Sequence, residues 1–293
     1  MRPTSTAYVG RGAGGGRGKL GQALRVDTSR EQLIVGRNPV HEVLRAERRR
    51  VHRLYLAEGI QVRGLVAKIL DRAKANGIPM ISAGRGVLDH VSEAHQGVAA
   101  LAALYPYAEL PDVMECGVVR GEPAFVLLLD LIQNPQNLGT LLRTAEAAGV
   151  HGVILPVRRG VEVTTSVVSA SAGACEHLLI VRSNLAAAIA ELKEAGVWIA
   201  GLDPGADAVP MERSDLTGPI GLVIGSEGQG MRDLVRRSCD YLVRIPMRGS
   251  VGSLNAAVAG SLAVFAVWKA RGYPGASGSL VPAERGKGGT EDA

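Results

Sequence analysis

The sequence predicts an α/β protein with a C-terminal, mostly parallel sheet covered by helices on both faces and a small N-terminal α/β domain before it. Three observations predict this architecture. Short apolar runs alternate with amphipathic or Ala-rich segments from residue 124 onwards. A separate mixed pattern ends near residue 105, and a stretch containing Pro106, Pro111 and Pro123 divides the two parts. Strands that alternate with helices form parallel sheets because each parallel pair needs a long crossover.

The N-terminal domain is predicted to span residues 31–105. Leu65, Ile69 and Ala73 recur at helical spacing, and Gly77 follows as a residue suited to ending that helix. The whole pattern predicts a helix at 40–45, a strand at 51–56, a helix at 64–76 and strands at 79–82 and 97–104. Residues 106–122 are predicted to be a linker to the next domain.

Residues 123–271 are predicted to form the second domain. Six apolar runs are too short for helices and are bounded by turn residues, which predicts strands at 124–131, 152–155, 178–181, 197–201, 220–224 and 242–245. Helical patterns lie between or after them, at 138–148, 165–172, 185–195, 231–238 and 254–269. Ligands of such sheets bind beyond the carboxyl ends of the strands, so we expect the functional residues at that edge.

Both ends of the chain are predicted to be disordered. Residues 1–30 include the run GRGAGGGRG and residues 272–293 are rich in Gly, Pro and Ser, so neither can bury enough apolar surface to offset its ordering. The net charge of +5 lies in the first tail, which holds six basic residues and one acidic residue, whereas the rest of the chain holds 27 of each. Net charge therefore does not by itself argue for RNA binding by the folded part.

The composition argues against several classes of protein. No stretch reaches the roughly 20 apolar residues needed to cross a bilayer, and the N-terminus lacks the apolar core of a secretory signal. Cys116, Cys175 and Cys239 are widely spaced, which argues against a disulfide framework and against a zinc site. We expect a cytoplasmic protein without a membrane segment or a metal, whose cysteines are buried thiols.

The first of three segments at the expected sheet edge is DLIQNPQNLGTLLRTAEAAG, which follows the first strand of the second domain. Asn137 is placed to cap the helix predicted to begin at residue 138, and Arg143 lies on that helix. The six residues between them correspond to about 600° of rotation, so their side chains do not share quite the same face. Taken alone, Arg143 is better explained as a solvated surface residue.

The second and third segments follow the last two strands. GLVIGSEGQGM runs from an apolar strand into a loop with Gly225 and Gly230, where small residues let the backbone approach a ligand closely, and Glu227 is its one charge. IPMRGSVGSLNAAVAG places Ser253 as the cap of an Ala-rich helix and Asn255 in the first turn. Either segment alone is also explained by turn formation and capping.

In combination and in order, these segments resemble the SpoU family of RNA 2'-O-ribose methyltransferases. The matching motifs are N-x-G-x-x-x-R (Asn137, Gly139, Arg143), G-x-E-x-x-G (Gly225, Glu227, Gly230) and S-L-N (Ser253, Leu254, Asn255). The similarity covers residues 125–271. Before it, GRNPVHEVL and HQGVAA resemble the ribosomal-protein-like substrate-binding domain of the RlmB branch, which methylates a guanosine of 23S rRNA.

The resemblance implies a deep trefoil knot near the C-terminus, which periodicity cannot detect and which ordinary folds lack. It implies S-adenosylmethionine as cofactor, held mainly through backbone groups at Gly225, Ile245 and Leu254. It also implies a homodimer whose active site lies near the subunit interface, with the apolar helix 254–269 at that interface. No metal takes part in the implied reaction.

The same resemblance assigns the catalytic residues. Arg143 is the implied activator of the ribose 2'-hydroxyl, while Asn137, Glu227, Ser253 and Asn255 orient Arg143, the ribose or its phosphate. A guanidinium has a pKa above about 12, so stabilising a developing alkoxide is easier for Arg143 than acting as a base. The implied substrate is 23S rRNA.

Other functions remain open from sequence. A tRNA 2'-O-methyltransferase or a ribosome-directed resistance methyltransferase of the same family would share the motifs, and a non-catalytic RNA-binding protein is the alternative from another class. The intact Arg143 and Asn255 argue against lost catalysis. A nucleotide-binding dehydrogenase is disfavoured because the G-x-G-x-x-G match at Gly10, Gly12 and Gly15 neither follows a strand nor begins a helix.

Overall fold

A computed structural model describes residues 6–8, 25–90, 92–250 and 252–276. Its N-terminal part contains the elements β1 (Thr6–Tyr8), β2 (Arg25–Asp27), β3 (Glu31–Val35), α1 (Arg37–Ala46), β4 (Val51–Ala57), α2 (Leu65–Ala75), β5 (Met80–Ala83), α3 (Arg85–Asp89) and β6 (Val98–Ala103). A four-stranded sheet has the order β3-β6-β4-β5, in which β4 and β5 are parallel and the other pairs are antiparallel. The predicted mixed α/β unit is present.

The N-terminal domain also contains elements that the sequence pattern did not predict. The predicted strands and helices correspond to α1, β4, α2, β5 and β6, whereas β3 and α3 are additional. Part of the predicted disordered tail is ordered, since β1 pairs with β2 in an antiparallel ladder. The run GRGAGGGRG lies outside the described residues.

The second domain is built on a seven-stranded sheet in which every neighbouring pair is parallel. Its strands are β7 (Phe125–Leu129), β8 (Gly152–Pro156), β9 (Leu179–Ser183), β10 (Trp198–Leu202), β11 (Val209–Pro210), β12 (Ile220–Ile224) and β13 (Tyr241–Arg244). The order across the sheet is β11-β13-β10-β12-β7-β8-β9. The helices are α4 (Leu110–Arg120), α5 (Pro135–Ala147), α6 (Thr165–Ala170), α7 (Leu185–Glu194), α8 (Asp233–Ser238) and α9 (Ala256–Ala270).

The central strands are apolar throughout because both faces of the sheet are buried, as expected for parallel strands. Along β7, Phe125, Leu127 and Leu129 join one core cluster, whereas Val126 and Leu128 join another. The first cluster receives buried residues of α5, α6 and α9, and the second receives those of α4, α7 and α8. The structure thus confirms a parallel sheet with helices on both faces.

Two stretches of the second domain differ from the prediction. The segment 106–122, predicted to be a linker, contains α4, whose Leu110 and Val113 pack into the core. Pro111 lies in the first turn of that helix, where its missing N–H costs nothing. Strand β11 has only two residues and carries no detectable periodicity. The trefoil knot implied by the family resemblance stays a prediction.

The C-terminal tail is ordered for a few residues beyond α9, contrary to the prediction of disorder from residue 272. Tyr273 lies against Trp268 with their ring centroids 4.9 Å apart, and the Trp268 indole Nε1 donates to the carbonyl of Pro274 at 3.0 Å. Residues 277–293 lie outside the described ranges.

A buried ion pair joins the two domains. Arg49 follows α1 and Glu176 lies in the short 3-10 helix Ala174–His177 of the second domain, and both side chains are essentially inaccessible to solvent. Arg49 Nε donates to Glu176 Oε2 at 3.1 Å, and a second bond links Nη2 to Oε1. Arg49 Nη1 also donates to Gln32 Oε1 at 2.6 Å, and Gln32 Nε2 donates to the carbonyl of Val163 at 3.0 Å. The charges are therefore fully paired where they are desolvated.

Removing one partner of this pair should destabilise the protein strongly. We expect Glu176→Gln to lower the free energy of unfolding by about 3–5 kcal/mol, because it leaves the Arg49 charge buried without a counter-ion. The double variant Arg49→Met/Glu176→Leu should recover most of the loss, since both charges are then absent. Urea denaturation measures the effect.

The exposed pair between Arg182 and Glu162 provides the matched control. Glu162→Gln should change the free energy of unfolding by less than about 1 kcal/mol, because that carboxylate is largely hydrated. A Glu176→Gln variant as stable as the Glu162→Gln variant would contradict the role of the buried pair.

Candidate active site

The three segments singled out in the sequence meet at the carboxyl edge of the parallel sheet. They follow β7, β12 and β13, whose carboxyl ends all point to that edge, and they lead into α5, α8 and α9. Helix α9 begins after residue 255 and packs against α5 and β12. The fold therefore brings together residues that lie more than a hundred positions apart in the chain.

Asn255 is the N-cap of α9. Its side-chain Oδ1 accepts hydrogen bonds from the backbone amides of Ala257 at 2.9 Å and Val258 at 3.3 Å. The prediction that Ser253 caps this helix is wrong, because α9 begins two residues later than a Ser253 cap requires. Ser253 instead lies exposed in the preceding loop.

The other half of the Asn255 amide joins the remaining two segments. Since Oδ1 is occupied as an acceptor, Nδ2 is the donor, and it bonds Glu227 Oε2 at 2.9 Å and Asn137 Oδ1 at 3.3 Å. We call Asn137, Glu227 and Asn255 the Asn255 cluster. All three residues were predicted as site residues from the motifs, and one side chain connects them.

Asn137 itself is not a helix cap, contrary to the prediction. Helix α5 begins at Pro135, and the side chain of Asn134 accepts from the amide of Gln136 at 2.8 Å. Asn137 therefore lies in the first turn of α5, where its side chain is free to accept from Asn255. Pro135 explains the earlier start, because a proline at the first helical position needs no hydrogen-bond partner for its nitrogen.

A cavity of about 200 Å³ lies beside the cluster. It is lined by all three residues predicted to bind the cofactor, Gly225, Ile245 and Leu254, and also by Glu227 and Ser253. Apolar side chains form most of the remaining wall, among them Leu202, Ile224, Met247, Ala256 and Ala259. An apolar cavity with a few polar groups at one end suits a ligand that has a flat apolar portion and a polar one.

The loop after β12 is closed on itself beside the cavity. The backbones of Ser226 and Gly230 exchange two hydrogen bonds of 3.0 Å, which shape a tight turn with Glu227 near its tip. A Cβ on Gly225 would lie 2.2 Å from the carbonyl carbon of Gly230, so only glycine fits there. Glu227 is therefore presented by a rigid turn.

Asp130 is a structural residue of this site that the sequence analysis missed. It lies directly after β7, is fully buried and accepts from the Arg232 backbone amide and from Arg232 Nε, both at 2.8 Å. This pair ties the end of β7 to the end of the Gly225–Gly230 turn. A single acid after a wholly apolar strand was the available signal, since a buried carboxylate requires a partner.

Arg143 lies apart from the cavity. It is exposed on α5 and is not among the residues that line either the cavity or the adjoining depression around Asn137 and Glu227. Among the described residues, no hydrogen bond or ion pair of its guanidinium is found. Its neighbour Thr144 bonds Ser261 of α9 at 2.9 Å, so the exposed Arg143 directly precedes a residue at the contact between α5 and α9.

In the described ranges we find neither a metal-ligating cluster nor a reactive thiol at Cys175 or Cys239. No group of three or more His, Cys, Asp or Glu side chains is placed there to hold a metal ion, and no helix of those ranges is long and apolar enough to span a membrane. Burial raises the pKa of both Cys175 and Cys239 to about 12, which keeps these thiols protonated and unreactive.

Two family models match the chain. The SpoU rRNA methylase family matches residues 124–265, and the RNA 2'-O ribose methyltransferase substrate-binding family matches residues 33–108. Among similar sequences, YacO of Bacillus subtilis, assigned to the TrmH family tRNA/rRNA methyltransferases, is 41% identical over 246 residues. That alignment covers 83% of this chain and 98% of YacO. A TrmH family protein of Staphylococcus aureus is also 41% identical, over 82% of this chain and 97% of its own length.

Solved structures share the fold. The SpoU methyltransferase AviRb from Streptomyces viridochromogenes, in complex with the cofactor AdoMet, superimposes with a TM-score of 0.70 at 25% identity. The match covers 86% of this chain and 95% of AviRb. An AdoMet-bound rRNA methyltransferase from Sinorhizobium meliloti gives a TM-score of 0.68 at 25% identity, over 83% of this chain and 88% of its own.

The two roles of Asn255 can be separated by substitution. Asn255→Asp should keep the cap of α9, since aspartate is an equally good N-cap, but it places a second carboxylate beside Glu227. We expect faster amide exchange in residues 226–230 and unchanged exchange in α9. Asn255→Ala should additionally destabilise α9 by about 1 kcal/mol. Hydrogen exchange followed by mass spectrometry measures both effects.

The double variant Asn255→Asp/Glu227→Gln is the control, because a glutamine amide can donate to the new carboxylate and restore the bond. Exchange in residues 226–230 should then return towards the wild-type rate. If Asn255→Asp alone leaves that loop unchanged, the bond between Asn255 and Glu227 does not hold it.

Proposed function

Because the chain belongs to the SpoU family of RNA methyltransferases, we propose that it methylates the ribose 2'-hydroxyl of a guanosine in 23S rRNA, with S-adenosylmethionine as the methyl donor. The observation that carries the proposal is the Asn255 cluster, which holds three family motifs against one cavity. The substrate-binding family match over residues 33–108 supports an RNA substrate. The resemblance to the RlmB branch supports 23S rRNA.

The cavity suits S-adenosylmethionine in its chemistry. Ile224, Ile245 and Leu254 offer apolar surface to an adenine ring, and Gly225 lets the backbone of the turn come close. Glu227 and Asp203 line the same cavity and can accept hydrogen bonds from hydroxyl or ammonium groups. Two structural relatives with AdoMet bound support this assignment.

When bound, S-adenosylmethionine would supply an electrophilic methyl group to the ribose 2'-oxygen, with the electron pair of its C–S bond left on sulfur and the hydroxyl proton released to solvent. The protein must align the hydroxyl with that bond and help its proton to leave. We assign Asn137, Glu227, Ser253 and Asn255 to alignment, since all four lie at the cavity or in the cluster beside it. Preorganised polar groups of this kind lower the barrier without reorganising during reaction.

Arg143 is assigned the stabilisation of the developing 2'-oxyanion. Its guanidinium stays protonated at neutral pH and can donate to an alkoxide or to the neighbouring phosphate. Within one chain it lies outside the cavity, exposed on α5 next to Thr144, which bonds Ser261. We therefore propose that the active site is completed in a homodimer, in which Arg143 faces a second copy.

An exposed apolar stripe on α9 supports this dimer. Val258, Leu262 and Phe265 are 48%, 50% and 40% exposed and follow one another at spacings of four and three residues, so they share one helix face. Ser261, which bonds Thr144 beside Arg143, lies directly next to Leu262. A second copy that covers the stripe would thus also approach Arg143. Large apolar side chains grouped on one face commonly mark interfaces.

The function is tested by mapping 2'-O-methylation on unmodified 23S rRNA and on unmodified tRNA incubated with the protein and S-adenosylmethionine. We expect one modified guanosine in 23S rRNA. Arg143→Ala should abolish the product while leaving thermal stabilisation by S-adenosylmethionine intact, because Arg143 lies outside the cavity. Lys193→Ala, at an exposed position of α7, is the control and should retain turnover.

Methylation of tRNA alone would show that the substrate is tRNA and not 23S rRNA. RNA binding without methylation of either substrate would favour the non-catalytic alternative. Undiminished turnover of Arg143→Ala would exclude the role given to Arg143.

The dimer is tested by placing a charge in the α9 stripe. Leu262→Asp should convert the dimer to a monomer, because a carboxylate cannot be buried there without a partner, and methylation should be lost with it. Size-exclusion chromatography with light scattering measures the mass. Val118→Asp, at a more exposed apolar position on α4, should stay dimeric and active. A wild-type protein that is monomeric at the assay concentration would refute the proposed arrangement.

A further inference from the structure

A second cavity lies in the N-terminal domain, away from the Asn255 cluster. Its volume is about 280 Å³, and it is formed where β3 and β4 end and β6 begins. Three arginines, Arg37, Arg63 and Arg85, line it from three different segments of the chain. We call this site the arginine pocket. Neither the three methyltransferase motifs nor the proposed chemistry uses it.

The charge of the arginine pocket is positive and largely unpaired. Of its lining residues, Glu58 is the one acid, so the three arginines leave a net charge of about +2 at neutral pH. In the described part of the chain, the side chains of Arg63 and Arg85 form no ion pair. Residues 31–105 as a whole contain 11 Lys and Arg against 7 Asp and Glu, whereas residues 106–293 contain 16 against 20. The N-terminal domain thus carries a net charge of +4, which the residues after it balance with −4.

Arg37 is held in place at the pocket. Its Nε donates to the backbone carbonyl of Gln96 at 3.0 Å, and its backbone amide donates to Gln96 Oε1 at 3.3 Å. The terminal guanidinium nitrogens therefore remain available to a ligand in a fixed orientation. The Gln96 loop is itself fixed, because His95 is buried and its Nδ1 accepts from the amide of Gly97 at 2.7 Å.

The shape of the pocket selects among RNA structures. A base-paired A-form helix is too broad to enter a cavity of this volume, whereas a single nucleotide that projects from a loop or bulge can enter it. Arg63 and Arg85 can bind its phosphate, and Gln61 offers an amide that can pair with a base edge. Arginine planes and amides are the groups with which proteins recognise unpaired bases.

The arginine pocket and the active site are connected through one short helix. Helix α1, which begins at Arg37, and helix α5, which carries Asn137 and Arg143, both pack against Ala174–His177. Glu42 of α1 accepts from His177 at 2.7 Å, and the Arg49–Glu176 pair lies in the same contact. RNA bound in the pocket is therefore held by a domain whose position relative to the active site is fixed.

We infer that the arginine pocket binds one unpaired nucleotide of the substrate RNA, through its phosphate, at a distance from the methylated ribose. This inference rests on the proposed function for the identity of the RNA. It adds residues to the substrate-binding role of the N-terminal domain. An acidic protein segment could also bind the three arginines, but it has no nucleobase to fill the cavity between them.

The test compares three triple variants of the full chain. Arg37→Gln/Arg63→Gln/Arg85→Gln removes the charges of the pocket, and Arg37→Lys/Arg63→Lys/Arg85→Lys retains them. Arg50→Gln/Arg53→Gln/Lys74→Gln removes three exposed charges elsewhere in the same domain, towards the opposite end of β4 and α2. Binding to a 23S rRNA transcript is measured at several salt concentrations, together with thermal stabilisation by S-adenosylmethionine and the kinetics of methylation.

The glutamine variant of the pocket should bind the transcript about tenfold or more weakly at low salt, and its log Kd should depend less steeply on log salt by roughly one per lost phosphate contact. Its KM for RNA should rise by a similar factor, with a smaller change in kcat and no change in stabilisation by the cofactor. The lysine variant should retain most of the binding and most of the salt dependence, because it keeps the charges.

Equal weakening by the Arg50/Arg53/Lys74 variant would overturn the inference, because the effect would then be one of general charge. Unchanged RNA binding by the pocket variant would overturn it as well. A wild-type protein that binds the transcript through the pocket but methylates neither 23S rRNA nor tRNA would refute the proposed function and leave the pocket assignment standing.

Discussion

The site depends on one side-chain amide. Asn255 uses its oxygen to cap α9 and its nitrogen to hold Glu227 and Asn137, so it joins the loops after β7, β12 and β13. An amide is suited to this position because it is an acceptor and a donor at once and carries no charge. A carboxylate could cap the helix but would repel Glu227, and an ammonium group could hold Glu227 but could not accept from the helix. Because Glu227 lines the cavity, this connection also positions part of the cavity wall.

The sequence was sufficient to predict the parallel sheet and to single out most of the residues that the structure brings together at one edge of it. The parallel sheet followed from apolar runs separated by helical patterns, and the carboxyl edge followed from the sheet. Gly225, Ile245, Leu254, Glu227 and Ser253 do line one cavity, and Asn255 does donate to both Asn137 and Glu227. The motif spacing supplied these residues, whereas periodicity alone would have treated each segment as a turn or a cap.

Two of the wrong predictions assigned a helix cap to the wrong one of two nearby polar residues. Asn134 and Asn137 can both cap a helix. Asn134 is the cap because Pro135, directly after it, prefers the first helical position. Ser253 and Asn255 can also both cap a helix. The contact with Glu227 that accompanies the cap at Asn255 is visible only in the folded structure. Helix α4 was missed because Pro111 was interpreted as a breaker, although it lies in the first turn. That Arg143 lies outside the cavity could not be predicted, since the motif spacing does not say which face of α5 turns towards the cavity.

The buried Arg49–Glu176 pair connects the N-terminal domain to the domain that carries the candidate active site. Methyl transfer depends on alignment of the reacting atoms, and alignment improves when binding energy far from those atoms is used to position them. Such conversion requires a stiff connection, because a mobile linker would dissipate the gain as conformational freedom. Arg49, Gln32 and Glu176 provide that stiffness at a dry, fully paired contact. Under the proposed function, the N-terminal domain therefore orients the RNA, and the Asn255 cluster and Arg143 act on the ribose.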